Sequence, residues 1–440
     1  MRRSSGRFRH RAVVLAAVAA LLTGCADDGG GDSSSASGGT DAAGRTTITV
    51  GVFGVFGYKQ AGLYDEYMKE HPDIYIKETS IERNENYYPQ LLTHLGTGSG
   101  LADIQAVEVA NIAEVTATQA DKLVDLSKAK GVRRGDFIPW KWQQGTTKDG
   151  KTVGLGTDIG PMAICYRKDL FAKAGLPTDR EQVGRLWAGD WGTYLETGRK
   201  YQDKAPDGTS FIDAASGVYN AVISSSAETY YDARGKLIYK DSPAVKEAWD
   251  HAMDAATGKL TARLQQFQKS WDQALANGTF ATVSCPPWML GYIKEKAGPK
   301  AADQWDVAAA PRPGNWGGSF LTVPTAARHK DEAAELAAWL TAPEQQAKLF
   351  EKQASFPSAQ AAYTLPQVSD ARHPYFGDAP TGKIFAAAAR GVPTQILGPK
   401  DLLIKQNIQD VGILQVEQQG KSPEAGWKAA VKSTDNALDQ

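Results

Sequence analysis

The sequence predicts an α/β protein with enough chain for two domains. Three observations carry this reading. The stretch from about Thr47 to Gln440 exceeds the usual length of one domain. The composition is globular, with 42% apolar and 22% charged residues. Strand-like and helix-like patterns alternate three times between Thr47 and Gln119 with short connections. Such alternation is the mark of a parallel sheet covered by helices.

Thr47 to Phe53 sets Ile48, Val50 and Val52 on one face, a strand pattern. Lys59 to Glu70 reads as a helix with Leu63, Tyr67 and Met68 inward and Pro72 just beyond it. Asp73 to Glu78 is a second strand, and Tyr87 to Leu95 a helix closed by Gly96, Gly98 and Gly100. Asp103 to Val107 is a third strand, followed by a helix from Asn111 to Gln119. Lys148 to Leu155 reads as a hairpin turning at Asp149-Gly150. Gly145, Gly150, Lys151 and Thr152 fit the phosphate-loop spacing. That chemistry needs a helix N-terminus after the loop, and Val153-Gly154-Leu155-Gly156 does not start one, so the match is accidental.

Further along, Ile164–Tyr166 and Phe280–Ser284 read as strands, and Lys168–Ala174 and Trp191–Gln202 as helices. Pro243 to Ala256 is a helix capped by Ser242, with Val245, Trp249, Ala252 and Met253 on one face. Pro286 and Pro287 end a strand, and a helix starts at Trp288. Val307–Pro311 and Ser319–Pro324 are extended, and Asp331–Leu340 is a helix with Ala333, Leu336, Ala337 and Leu340 inward. Thr341-x-x-Glu344 reads as a capping box for the next helix, with Pro343 in its first turn. The last hundred residues read as largely helical.

The amino-terminal segment has a different character. Arg2, Arg3, Arg7, Arg9 and Arg11 precede an apolar run from Ala12 that ends in Leu22-Thr23-Gly24-Cys25. A basic start, a short apolar core and small residues at a cleavage point read as an export signal over residues 1–24. The core is shorter than the roughly 20 residues of a membrane span. The last four residues resemble a bacterial lipobox, which implies cleavage before Cys25 and its acylation. Residues 25–46 then form a Gly/Ser/Asp linker without a large apolar side chain. Such a segment stays flexible, and about 20 residues span roughly 25 Å. The folded body is expected outside the cytoplasm, held at the outer face of the membrane. A formal net charge of −1 calls for neither nucleic acid nor an anionic surface.

With Cys25 lipidated, Cys165 and Cys285 remain in an oxidising compartment, where two thiols usually pair. A Cys165–Cys285 disulfide is expected; the alternative is two separate buried thiols.

Several segments resemble the extracellular solute-binding proteins of ABC transporters, in the sugar-binding branch, and cello-oligosaccharide-binding lipoproteins in particular. These segments are the lipobox, Leu101-Ala102-Asp103-Ile104, Gly160 to Phe171, Trp191 to Leu195, Asn277 to Trp288, and Gly317 to Pro324. They run in family order over nearly the whole mature chain. The resemblance implies two α/β lobes, each a mostly parallel sheet flanked by helices, with a ligand cleft between them. Lobe 1 would hold residues 47–158 and about 319–353, and lobe 2 residues 159–318 and about 354–440. Both Cys165 and Cys285 then fall in lobe 2.

Sugars offer apolar C–H faces and rims of hydroxyls. Flat aromatic rings supply contact area at low entropic cost, and ionised carboxylates accept strong hydrogen bonds. Among 11 Trp, Trp288 is the first candidate, placed beyond a strand's carboxyl end by two prolines. Trp316 is the second, in a Gly-rich polar loop that has no packing need for an indole. Trp271 is a third candidate with core packing as the alternative, and Trp249 and Trp339 are assigned to core. Asp158 before the first crossing, and Glu108 with Asn111 after the third strand, are the polar candidates. A helix cap is the alternative for Asn111 and a surface charge for Glu108. Phe56 and Lys59 lie in the loop after the first strand.

The expected function is capture of a small oligosaccharide, cellobiose or cellotriose first, and delivery to a membrane permease by a monomer that needs no cofactor or catalyst. Xylo-oligosaccharides or another disaccharide are the alternative ligands. A lipid-anchored glycoside hydrolase is the alternative class. It would need two carboxylates about 5 to 9 Å apart, and no catalytic motif is recognisable. The six His show no metal-ligand spacing.

Overall fold

The computed structural model describes residues 39–439. The expected export signal, Cys25 and the expected linker up to residue 38 lie outside the described residues. The strands are β1 (Thr46–Phe53), β2 (Ile74–Ile81), β3 (Ile104–Glu108), β4 (Leu155–Gly156), β5 (Asp158–Ile159), β6 (Ala163–Arg167), β7 (Ser210–Ile212), β8 (Phe280–Cys285), β9 (Trp305–Ala309), β10 (Ser319–Thr322) and β11 (Phe356–Pro357). Among the described residues they form a five-stranded sheet ordered β2-β1-β3-β10-β4, a four-stranded sheet ordered β7-β8-β6-β9, and the pair β11-β5.

Ile48, Val50 and Val52 of β1 are fully buried, and Thr47 and Thr49, which alternate with them, are buried too. Both faces of this strand are therefore covered, as in sheets wrapped by helices. Burying Thr49 is made tolerable by Asp103, whose carboxylate accepts from the Thr49 amide at 2.9 Å and hydroxyl at 2.7 Å. Helix Leu63–Glu70 begins later than the sequence pattern suggests, because Tyr58 to Gly62 close as turns and Gly62 is left-handed. Helices Asn84–Thr97 and Val109–Thr118 close the other side of β1 and β3.

The sheets are less parallel than the resemblance implied. β1 runs parallel to β2 and β3, but β10 lies antiparallel between β3 and β4. In the second sheet β7 and β8 are parallel, while β6 is antiparallel to both β8 and β9. Parallel neighbours need a crossover within the same sheet. β6 and β10 instead arrive from the other sheet and enter from the ends where their neighbours leave. The short pair β5-β11 lies on this passage, with Asp158 opposite Pro357.

β6 and β8 carry the expected disulfide. Cys165 lies opposite Val283 and Ala163 opposite Cys285, so the two cysteines are diagonal neighbours with Cα atoms 5.4 Å apart, and they are bonded. Helix Pro243–Thr257 is capped by the Ser242 hydroxyl, and Trp249 packs on Trp427 at 5.2 Å. Trp339 is half-buried against Tyr67. The expected capping box at Thr341 does not form. Ala342 is the N-cap of helix Pro343–Gln353, and the Thr341 hydroxyl donates to Ala337 of the preceding helix at 2.8 Å. That helix ends so close to the next that the hydroxyl is claimed backwards. The turn at Asp149-Gly150 closes as a hairpin, and a strand, not the helix that a phosphate loop would need, follows it. Among the described residues, no helix is long and apolar enough to cross a membrane.

Candidate functional site

The passages between sheets build the site. Glu108 ends β3 opposite Ser319, which starts β10. The loop before β10 therefore sits at the carboxyl end of β3. Within that loop, Asn315 accepts from the Gly160 amide at 2.8 Å, and the Trp316 amide donates to the Gly160 carbonyl at 2.7 Å. Gly160 has no room for a side chain; a Cβ there would lie 1.8 Å from the Trp316 carbonyl oxygen. Gly317 and Gly318 both hold positive φ, 98° and 105°, and turn the chain into β10. The close approach of these two passages is what fixes Trp316 beside Glu108.

A cavity of about 150 Å³ opens there. Its walls come from both sheets' surroundings. Glu108, Val109 and Ala113 stand on one side, Asn220, Ser224 and Tyr230 on the other, with Trp316 between them and Asp401 and Lys405 from a carboxyl-terminal helix. That helix, Asp401–Gln406, is anchored by Ile404 and Ile408, which are buried with Tyr219 and Val222 in the core around the second sheet.

Two of the residues lining this space carry a buried polar atom without a partner. Asn220 is 5% exposed; its Oδ1 accepts from Lys405 Nζ at 3.2 Å and its Nδ2 donates to nothing. Asp401 Oδ2 accepts from the Gly398 amide at 3.1 Å, and its Oδ1 has no donor. Burial pushes the Asp401 carboxyl up to about 7, raises Glu108 and lowers Lys405. Below about pH 7 the protonated Asp401 carboxyl can donate as well as accept. Unfilled donors and acceptors around one aromatic ring suit a ligand rich in hydroxyls.

Each sequence candidate has a definite place. Trp316 and Glu108 line the same cavity. Trp288 stands next to it, with ring centroids 5.1 Å from Trp316, and its indole donates to the Trp316 carbonyl at 3.1 Å. Phe267, 44% exposed, lies 6.2 Å from both indoles. Asp158 accepts from the Ser319 amide at 2.9 Å and from Thr157 at 2.6 Å, which ties the two passages together. Asn111 is buried inside its helix, not at the cap, and accepts from Asn84 at 2.8 Å; Asn84 also donates to Glu108 at 3.1 Å. Phe56 is half-buried against Phe53 at 5.2 Å, and Lys59 is exposed. Neither lines this cavity. Trp271 is a correction. It is fully buried, and its indole donates to Asp213 at 2.9 Å, so it is a core residue with no face to offer.

Sequence reasoning missed Asn220, Tyr230, Asp401 and Lys405. Asp401 and Lys405 sit on a short helix whose pattern reads as solvent-facing, Asn220 lies in the almost wholly buried helix Ala215–Ile223, and Tyr230 lies in a bend, so only tertiary packing brings the four together. It also missed Lys141, which is fully buried beside the Asp158 passage with Nζ 3.7 Å from the centre of the Phe320 ring and no hydrogen-bond partner. Among the described residues, no group of three or more His, Cys, Asp or Glu could hold a metal ion.

A family profile described as bacterial extracellular solute-binding protein matches residues 62–375. The chain is 25% identical over 311 residues to an arabinooligosaccharide-binding protein of Bacillus subtilis (strain 168), spanning 68% of this chain and 69% of that one. A solved structure described as an extracellular solute-binding protein family 1 is 41% identical, with a TM-score of 0.83 over 89% of this chain and 99% of that one. The ABC transporter associated binding protein from B. animalis subsp. lactis Bl-04, solved in complex with beta-1,6-galactobiose, is 22% identical, with a TM-score of 0.70 over 89% of this chain and 96% of that one.

Proposed function

The chain belongs to the bacterial extracellular solute-binding proteins, and we propose that it is the substrate-binding component of an ABC transporter that captures a short, neutral oligosaccharide and hands it to a membrane permease. The observation that carries this reading is the cavity around Trp316, where one aromatic ring is flanked by Glu108 on one side and, on the other, by Asn220 and Asp401, each with a polar atom that lacks a partner. Carboxylates, an amide and an ammonium group around an indole match the mixed donor and acceptor rim of a sugar. Cellobiose and cellotriose are the first ligands, since Trp316 and Trp288 stand together, ring centroids 5.1 Å apart and nearly perpendicular, as two aromatic groups at one place. Xylo- and arabino-oligosaccharides come next, the last because a relative is named for them.

The proposal includes the two lobes at residues 47–158 with 319–353 and 159–318 with 354–440. The membership of the two larger sheets supports that division. It also includes a lipid on Cys25 as the anchor, with the permease as the partner and a monomer as the working form. Ligand contacts to both lobes would favour the closed arrangement by binding it better than the open one.

Titration of the protein with cello-, xylo- and arabino-oligosaccharides, followed by tryptophan fluorescence and calorimetry, tests this. Saturable binding of at least one series with no cleavage products is the expected result. Trp316→Ala is expected to weaken that binding by about tenfold or more, the usual effect of removing a central aromatic anchor. No binding by any series overturns the ligand class, and released products would make the protein a hydrolase.

A further inference from the structure

The ligand cavity has a neighbour. A groove of about 1070 Å³ lies beyond it, lined by Trp142, Gln143, Gln144, Thr146, Lys148 and Arg134 among others. The two spaces share three lining residues, Ala113, Gln395 and Leu397. These three residues stand on the boundary between the two spaces.

That wall is held firmly at its flanks. Gln395 Nε2 donates to the carbonyls of Ser224 and Ser226, each at 3.2 Å, and the Ile396 amide donates to Ala227 at 2.8 Å. On the far side, Lys400 pairs with Glu114 of helix Val109–Thr118 at 3.7 Å. The segment thus bridges from the second sheet's surroundings to a helix of the first. Between these fastenings, Leu397 packs on the cluster that contains Val107 and Ile112, next to Ala113. Backbone and latch position the segment, the Gln395 amide is held by its carbonyl partners, and the Leu397 side chain, beside the small Ala113, is the large apolar part of the shared wall.

The groove beyond is suited to the same kind of ligand. It is lined largely by amides, hydroxyls and charged groups together with one indole, and Gln144 Oε1 is buried there with no donor. Between it and the inner cavity stand Ala113, Gln395 and Leu397, of which Leu397 is the one large apolar side chain.

We propose that Leu397 is the residue that sets ligand length: it is the end wall of the sugar cavity, and shortening it joins the cavity to the groove and admits longer oligomers. This rests on the oligosaccharide reading of the cavity. The wild-type chain then prefers the shortest members of whichever series it binds. A further sugar unit in the wild type has to displace Leu397 from its seat on the helix.

The test measures Kd for oligomers of increasing length within that series, for the full-length wild type, Leu397→Ala, Leu397→Val and Lys400→Ala. Leu397→Ala is expected to shift the affinity ratio of the longer over the shorter ligand by about tenfold toward the longer. Leu397→Val is expected to give a smaller shift in the same direction, and it serves if the alanine variant does not fold. Lys400→Ala loosens the latch but leaves the wall, so it is expected to raise dissociation rates for all lengths without changing the ratio. If the wild type binds no oligosaccharide, the functional reading fails. If it binds, and folded Leu397→Ala or Leu397→Val keeps the wild-type length ratio, the assignment of Leu397 is overturned while the function stands. A length ratio that moves in Lys400→Ala as far as in Leu397→Ala also overturns it, because the latch and not the wall would then select.

Discussion

Replacing Lys141 with methionine is expected to make the protein more stable near neutral pH, by about 1–4 kcal/mol. Lys141 lies in helix Pro139–Gln144 with its stem against Gly156 and its ammonium over the Phe320 ring. The ring face attracts the cation, but this is worth only about 0.5–2 kcal/mol, and Nζ has no hydrogen-bond acceptor. Burial brings its pKa from 10.5 down to about 7, against the opposing pull of Asp158 and Glu108. The sign of the pH effect follows. Between about pH 7 and 10.5 the unfolded chain holds a proton on this lysine that the folded chain does not. Lowering the pH through that window favours the unfolded state, so wild-type stability rises with pH there, with a limiting slope of about 1.4 kcal/mol per pH unit. Methionine fills similar volume without a charge and removes that slope. Urea unfolding at several values between pH 6 and 10 reads both effects. A variant that is less stable at pH 7, or that keeps the wild-type slope, would show that the cation is needed where it sits.

Removal of the disulfide is the second large effect. The double variant Cys165→Ala/Cys285→Ala is expected to lose about 2–5 kcal/mol of stability. The two half-cystines are 120 residues apart in sequence, so the bond closes a long loop in the unfolded chain. Alanine is the right replacement because both positions are fully buried, and a serine hydroxyl there would add its own desolvation cost. Sugar affinity is expected to stay within a few-fold of wild type, since the lining residues of the cavity stand on other segments. Unfolding midpoints in urea with and without reductant check the first expectation, and titration checks the second. An unchanged midpoint would mean that strand pairing alone holds β6 to β8.

Much of the fold was legible because local chemistry and tertiary structure agree. Helix Trp191–Gln202 has the bounds its pattern predicts, because Asp190 caps it, accepting from the Gly192 and Thr193 amides, and because Trp191, Tyr194 and Leu195 face one core. Where a residue had two possible partners, sequence could not choose. Thr341 has the spacing of a capping box, yet it serves the helix before it. Trp271 sits among helical neighbours, and its partner Asp213 is 58 residues away. The strand order was not readable for the same reason, since β6 and β10 pair with strands they do not adjoin in sequence. Within the site, Trp316 and Glu108 were found from a Gly-rich loop and a strand's carboxyl end. Lys141, Asp401 and Lys405 were not, because a charged residue on a helix normally marks the solvent side, and only packing from distant segments covers these three.

The place of β10 has a consequence for how the polypeptide is made. Ser319–Thr322 fills the slot between β3 and β4, so a ribosome has released some three hundred residues before the amino-terminal sheet can be completed. Any gene fragment stopping short of that codon encodes β3 with one bare edge, open to docking by other chains. Such a fragment is expected to clump rather than behave as a free-standing half. For the same reason, cutting the gene at one point cannot yield two independent pieces.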